Sequence, residues 1–172
     1  MANLDLLKEI TGQAQRALEP GFQIYDISAT NVKKILRIRI LLDKINDPWG
    51  TPSIADCSRF SRACSANLAD LASAGKLADD YHLEVSSPGA ERELRNFEEW
   101  QRFQDKPMKV RYDSGGNKLE TIVANFLGIN AGKSQWKTAE LKRNRKLKKV
   151  KENNDIIIDI KDIKSVRLYL DF

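Results

Sequence analysis

Few side chains in this 172-residue chain could take part in acid–base chemistry, because it contains one histidine and two cysteines. His82 and Glu84 alternate with Tyr81, Leu83 and Val85 in an extended pattern, so the two polar side chains would share one face of a strand. They could form a general acid–base pair, but no serine or cysteine nucleophile stands at a motif spacing beside them. An ordinary, partly exposed sheet face is favoured, and an enzyme that uses His82 and Glu84 is the less favoured alternative.

The two cysteines and one Gly-Lys-Ser sequence are the other candidates for chemistry. Cys57 and Cys64 are two turns apart on a predicted helix, about 10.5 Å along its axis, which is too far for a disulfide, so core packing is favoured. Residues 128–134 end in Gly-Lys-Ser but have three residues between their glycines, where a phosphate-binding loop has four. Residues 135–138 continue like a strand, so a hairpin turn is predicted here. The sequence therefore predicts a protein that is not an enzyme and has no cofactor or metal site.

Composition and charge narrow the class of protein. The chain is 41% hydrophobic and 31% charged, which is typical of a soluble globular protein, and two cysteines do not suit a disulfide-stapled secreted fold. The start of the chain does not resemble a signal peptide. The longest uncharged run, residues 121–132, is shorter than the roughly 18–20 residues of a membrane helix. We therefore expect a protein of the cytoplasm, or of an organelle matrix, with no membrane partner.

The excess positive charge is concentrated in one segment. Residues 133–151 contain nine lysines and arginines and one acidic residue, Glu140, whereas the rest of the chain has 20 basic and 23 acidic residues. Contact with nucleic acid is favoured over a loop that only aids solubility. Trp136 beside this segment could stack on a base or lie in a core. The residues predicted to contact RNA are Arg95, Lys142, Arg143, Arg145, Lys146, Lys148 and Lys149.

The elements that would position these residues fall into two groups. The first group has the order helix-strand-strand-helix-strand, which predicts an α/β sandwich with helices on one face of a three-stranded sheet. Ser53 with Asp56 resembles a capping box at the start of its long second helix, and Ile54 begins that helix's apolar stripe. The predicted segments are residues 4–18, 22–29, 35–42, 54–71 and 81–85.

The second group of elements begins after Pro107, where the hydrophobic pattern changes to a period of two. Five short strands in about 65 residues are typical of a small β-barrel. A short helix carrying Phe97, Trp100 and Phe103 precedes them. The sequence thus predicts an α+β protein with an N-terminal domain over residues 1–104, including this linking helix, and a C-terminal barrel over residues 105–172.

Residues 81–89, Tyr-His-Leu-Glu-Val-Ser-Ser-Pro-Gly, resemble the signature of the RimP family of ribosome maturation factors. Three further segments match in order: residues 36–38, residues 54–57 with Ser61 one turn later, and residues 162–164 before the final strand. The resemblance covers nearly the whole chain. It implies an α/β N-terminal domain and an SH3- or Sm-like C-terminal barrel.

The resemblance also implies a function and a set of site residues. Family members bind the precursor of the small ribosomal subunit through ribosomal RNA and a ribosomal protein, without catalysis, and we expect a monomer. A general RNA-binding module without ribosome specificity is the alternative. Glu93 stands where the family usually has proline, and Arg92 would either meet a phosphate or serve an interdomain joint. The signature turn comprises Ser86, Ser87, Pro88, Gly89 and Arg92.

Overall fold

The computed structural model of the protein describes residues 4–78, 80–116, 118–139 and 155–170. The chain forms two compact units, Met1–Gly89 and Ala90–Phe172, here called unit 1 and unit 2. The architecture is α+β, with one sheet in each unit. Among the described residues, no helix has both the length and the apolar character needed to cross a membrane.

Unit 1 has the predicted order of elements, helix-strand-strand-helix-strand, which is confirmed. Its sheet has the order β1-β2-β3, with β1 and β2 antiparallel and β2 and β3 parallel, so β2 is the central strand. The elements are α1 (Leu4–Arg16), β1 (Phe22–Val32), β2 (Ile35–Lys44), α2 (Ile54–Ser73) and β3 (His82–Ser86).

Both helices of unit 1 pack against one face of its sheet. Alternation along β2 turns Ile38 and Ile40 toward the helices, where both are fully buried, and leaves Arg37 and Arg39 on the exposed face. The helices contribute Ile10, Ala14, Phe60, Cys64 and Leu68 to the same core. Unit 1 is therefore a two-layer sandwich whose second sheet face carries polar side chains.

The predicted capping box at the start of α2 is confirmed. The Ser53 Oγ accepts a hydrogen bond from the Asp56 backbone N–H at 3.1 Å, and the Asp56 carboxylate accepts one from the Ser53 N–H at 2.9 Å. The same carboxylate forms ion pairs with Lys44 at 3.1 Å and with Arg59 at 2.8 Å. Asp56 thus ties the beginning of the helix to the end of β2.

Unit 2 contains one short helix and five strands, and its strands form an antiparallel sheet in the order β7-β6-β5-β4-β8. The five predicted strands are confirmed. Closure of this sheet into a barrel is not observed among the described residues, because β7 and β8 stand at opposite ends of the order. The elements are α3 (Phe97–Arg102), β4 (Met108–Asp113), β5 (Leu119–Asn130), β6 (Lys133–Thr138), β7 (Asp155–Asp159), a 3₁₀ turn (Ile160–Asp162) and β8 (Ile163–Leu168).

Helix α3 belongs to unit 2, whereas the sequence pattern placed the domain boundary after it, at residue 105. The Trp100 ring lies 5.7 Å from those of both Phe126 in β5 and Trp136 in β6, measured between centroids. Before the helix, the Leu94 N–H donates a hydrogen bond to the Val166 carbonyl of β8 at 2.7 Å. Helical periodicity indicates which residues of α3 are apolar, but it does not show which sheet they cover.

Candidate functional site

The signature turn follows β3 at the end of unit 1. Ser86 is the last residue of the strand and pairs in register with Leu41 of β2. The Ser87 Oγ accepts a hydrogen bond from the Gly89 N–H at 3.4 Å, as expected for a hydroxyl that satisfies nearby backbone. Gly89 has a φ of 89°, a left-handed value that glycine adopts without the steric penalty of a Cβ. The backbone conformation, rather than side-chain packing, therefore favours glycine at this position.

Strand β3 is an edge strand, and a groove runs beside it. In the described part of the chain its only sheet neighbour is β2. Residues 83–87 line one side of the groove, and α2 lines the other with Ile54, Cys57, Ser58, Ser61 and Arg62. The cavity has a volume of about 670 Å³. We call it the β3 groove.

Ile54 is 88% exposed where it lines the β3 groove, although the apolar period of α2 predicts that it is buried. It occupies the first position of the helix, and the buried part of the stripe begins later, at Phe60. The predicted apolar stripe is confirmed in the remainder of α2, where Cys64, Leu68 and Leu71 are buried. Ile54 therefore contributes apolar surface to the β3 groove and not to the core.

The polar groups of the β3 groove include serine hydroxyls, the Cys57 thiol and the Arg62 guanidinium. The Ser86 Oγ is buried and has no hydrogen-bond partner among the described residues. Burial raises the pKa of the Cys57 thiol, with a further contribution from the nearby Asp56 carboxylate, so this cysteine is held as the weakly nucleophilic thiol. The groove offers hydroxyl groups, one guanidinium and a free backbone edge to a partner.

The His82–Glu84 pair considered above is not the contact that the structure shows. The Glu84 carboxylate lies 3.3 Å from the Arg39 Nε on the neighbouring strand, and His82 lies beside Arg37 in register. Within the described residues, no group of three or more histidine, cysteine, aspartate and glutamate side chains could hold a metal ion. On the exposed sheet face the Glu84 carboxylate therefore forms an ion pair with Arg39.

The Gly-Lys-Ser segment forms a hairpin, as predicted. Asn130 pairs with Lys133, and the two residues between them, Ala131 and Gly132, have positive φ values of 47° and 76°. Ser134 is fully buried, donates a hydrogen bond to the Ile158 carbonyl at 2.9 Å and accepts one from the Trp136 Nε1 at 2.8 Å. Both hydrogen bonds of the Ser134 hydroxyl are thus formed inside the core of unit 2. The Trp136 side chain belongs to the same core, where it is fully buried and cannot stack on a base.

Arg92, one of the predicted residues of the signature turn, is buried in unit 2. Its Nη2 donates a hydrogen bond to the Glu99 Oε1 at 3.0 Å, and its Cζ lies 5.3 Å from the centre of the Phe103 ring. The guanidinium is thus part of the packing around α3 and is not presented on the surface. This burial favours a structural role for Arg92, which turn chemistry does not indicate because the burial depends on a later helix.

The residues predicted to contact RNA are mostly outside the described part of the chain. Arg95 is exposed, and its backbone N–H donates a hydrogen bond to the Glu99 Oε2 at 2.6 Å. The others lie outside the described residues, and for them the prediction stands on charge alone: Lys142, Arg143, Arg145, Lys146, Lys148 and Lys149.

Unit 2 has an apolar groove that the sequence pattern does not predict. The groove has a volume of about 400 Å³ and is lined by Phe97, Trp100, Ile129, Ile160 and Ile163, together with the basic residues Arg95 and Lys164. Three of these apolar side chains remain 37–42% exposed: Phe97, Ile129 and Ile160. The local pattern does not indicate their exposure, because Ile129 follows the break in register between Phe126 and Gly128 and Ile160 begins the 3₁₀ turn after β7.

Comparison with known proteins covers both units. Residues 14–91 match the family model of the RimP N-terminal domain, and residues 93–169 match a domain of unknown function (DUF7912). Two curated proteins from Leptospira biflexa serovar Patoc, of the Patoc 1 strains Ames and Paris, are each named ribosome maturation factor RimP. Each is 30% identical over 156 residues, which covers 91% of this chain and 91% of the relative. The chain therefore belongs to the RimP family of ribosome maturation factors.

Proposed function

We propose that this protein is a non-catalytic assembly factor for the small ribosomal subunit, acting as a monomer in the cytoplasm. It binds the unfinished subunit through ribosomal RNA and a ribosomal protein. The observation that carries the proposal is the placement of the family signature. Ser86 and Ser87 border an open strand edge and an accessible groove, which can hold a macromolecular partner but contain no activated nucleophile.

The two units supply different surfaces to the particle. The β3 groove and the signature turn engage the nascent subunit from unit 1. The apolar groove of unit 2, with exposed Phe97 beside the basic side chains of Arg95 and Lys164, receives a segment of a small-subunit ribosomal protein. The basic residues at positions 142–149 contact ribosomal RNA.

Unit 2 is an SH3- or Sm-like domain in this proposal. Its strand order supports the assignment, because the first strand, β4, lies between β5 and the last strand, β8. The 3₁₀ turn between β7 and β8 gives the short connection that such a small fold requires. The Gly128 irregularity in the pairing of β5 with β6 would allow the long strand β5 to bend.

A factor of this kind needs no chemical step. It binds one conformation of the immature ribonucleoprotein more tightly than others and so raises the population of that conformation. Maturation removes the preferred conformation, and the factor dissociates. The free energy that drives release is the difference between its affinities for the immature and mature particles.

Density-gradient sedimentation tests the proposal directly. Depletion of the protein is expected to lower the amount of mature small subunit and to accumulate small-subunit precursors. The tagged full-length chain should co-sediment with those precursors and not with mature subunits. A normal subunit profile after depletion, together with no co-migration, would refute an assembly role.

A general RNA-binding module is the second candidate, and the concentration of positive charge in residues 133–151 favours it. Such a module would bind bulk RNA as tightly as it binds precursor particles. Its log K would fall by about 0.9 per decade of salt for each duplex phosphate neutralised. Competition of labelled precursor particles by an excess of unrelated RNA distinguishes the two functions, because only the assembly factor keeps its preference for the particle.

A further inference from the structure

The hairpin that joins β1 and β2 carries two lysines in an unusual backbone conformation. Val32 pairs with Ile35, so the loop consists of Lys33 and Lys34 alone. Their φ values are 51° and 72°, both in the left-handed region. Two-residue hairpin loops with positive φ at both positions favour Asn-Gly, because these residues tolerate that conformation best. Lysine at both positions therefore works against the local preference of the backbone.

A conformational cost of this kind points to a role for the side chains. Residues in sparsely populated φ/ψ regions concentrate at functional sites, where the surrounding structure holds them in place. Both lysines are exposed at the tip of the hairpin, and neither forms an ion pair with another described residue. Their ammonium groups are thus presented to solvent and are available to an anionic partner.

The positive charge continues from the hairpin onto the exposed face of the sheet. Arg37 and Arg39 follow on β2, two residues apart and therefore on the same face, roughly 7 Å from each other along the strand. Arg37 is exposed and has no acidic partner among the described residues, whereas Arg39 pairs with Glu84 at 3.3 Å. Thr30 on β1 lies opposite Arg37 and adds an exposed hydroxyl. We call Lys33, Lys34, Arg37 and Arg39 the hairpin face.

We propose that the hairpin face is a phosphate-binding surface for double-helical RNA, separate from the basic segment of unit 2. This inference rests on the proposed function only for the identity of the RNA as ribosomal. Lysine and arginine at an exposed edge bind the backbone of a duplex by charge and release its counterions, independently of base sequence. The hairpin face presents four positively charged side chains, of which Arg39 is paired with the Glu84 carboxylate. The exposed Thr30 hydroxyl adds a hydrogen-bond donor for a phosphate oxygen.

The experiment uses the full-length chain and a fluorescein-labelled RNA duplex of about 20 base pairs, long enough to span a shape-recognition site. The variant Lys33→Asn/Lys34→Gly removes two charges and installs the residue pair that the turn favours. It should therefore unfold at the same temperature as the wild type or at a higher one, which separates loss of binding from loss of folding. Fluorescence anisotropy at salt concentrations between about 50 and 300 mM gives the affinity and its salt dependence.

The expected result is weaker binding with a smaller salt dependence. Loss of two phosphate contacts should reduce the steepness of the negative slope of log K against log salt by about 1.4–1.8 and weaken binding roughly 15- to 30-fold at 0.15 M salt. Lys33→Arg/Lys34→Arg keeps the charges and should bind like the wild type. Arg37→Gln should reduce the steepness of the slope by about half as much as the double variant.

Lys8→Gln/Arg16→Gln is the matched control, because it removes two charges from α1, on the opposite side of the sheet. Equal losses in the control and the hairpin variant would show that only net charge matters, and unchanged binding of the hairpin variant would show that the hairpin is not involved. Either result overturns the proposal. So does a variant that binds the duplex normally but fails to bind precursor particles, since the hairpin would then contact a protein. Co-sedimentation of the wild type with precursor particles does not depend on any of these three outcomes. The proposed assembly role is therefore tested separately from the proposed RNA contact of the hairpin face.

Discussion

The Arg92 Nη2 donates a hydrogen bond to the Glu99 Oε1 at 3.0 Å within unit 2, and the two side chains are 1% and 16% exposed. The second oxygen of Glu99 accepts the Arg95 backbone N–H at 2.6 Å. The Glu99 carboxylate thus joins α3 to the chain before it, and the Arg92 carbonyl in turn accepts a hydrogen bond from the Leu168 N–H at the end of β8 at 3.0 Å. Arg92, the last residue of the signature turn, therefore contributes to the stability of unit 2.

Glu99→Ala should destabilise unit 2 by about 3 kcal/mol, because it removes the carboxylate partner of a buried guanidinium. Urea unfolding followed by tryptophan fluorescence measures the change, in a Trp49→Phe background so that the signal comes from Trp100 and Trp136. Glu98→Ala, at the neighbouring exposed position of α3, is the control and should cost less than about 1 kcal/mol. Equal losses for the two variants would contradict a structural role for the buried pair.

The contribution of Asp56 to stability should depend on pH. Hydrogen bonds from Ser53, followed by those from Arg59 and Lys44, hold the pKa of this carboxyl well below its ordinary value of 3.8. The folded state thus favours the charged form, and its stabilisation is complete above pH 3.8 and declines as the pH falls from there toward the lower folded pKa. The difference in unfolding free energy between the wild type and Asp56→Asn should be constant at neutral pH and shrink below pH 3.8. A difference that stays constant in acid would exclude this linkage.

Ser134→Ala should destabilise unit 2 by about 2 kcal/mol, because the buried indole N–H of Trp136 would lose its acceptor and the Ile158 carbonyl a donor. Thr121→Ala, at an exposed position of β5, is the matched loss of a hydroxyl and should change stability much less. Thermal unfolding monitored by near-ultraviolet circular dichroism measures both. If the two substitutions cost the same, the buried hydroxyl is not an essential part of this core.

The two cysteines should differ in reactivity toward a thiol reagent. Cys64 is fully buried, and burial raises its pKa to about 11, whereas Cys57 is partly exposed in the β3 groove. At about pH 8 the folded protein should therefore react at one thiol, and Cys57→Ser should abolish that reaction until the protein is unfolded. Bound precursor particles should protect Cys57 if the β3 groove is occupied. Rapid modification of both thiols in the folded state would contradict the burial of Cys64.

The local elements of this fold could be predicted from the sequence because each has a period or a turn signal of its own. Alternation around Ile38 identified β2, the three- and four-residue steps through Phe60 and Leu68 identified α2, and Ser53 marked its start. The Gly132 turn was recognised as a hairpin because a phosphate loop requires a different spacing and a following helix. These inferences depend only on residues close together in the chain.

Contacts between distant residues were decided by the tertiary structure. Nothing near Arg92 in the sequence shows that Glu99 and Phe103 will enclose it, and nothing in α3 shows that its tryptophan will pack on β5 and β6. Whether a strand lies at the edge of a sheet is also a property of its neighbours. The alternation of apolar and polar residues is the same in an edge strand and in a strand paired on both sides, so residues 82–86 alone could not predict the β3 groove. The sequence by itself determined the secondary-structure elements and the family. The tertiary structure determined which side chains of the signature are buried and which surfaces remain open, because burial depends on elements that are far apart along the chain.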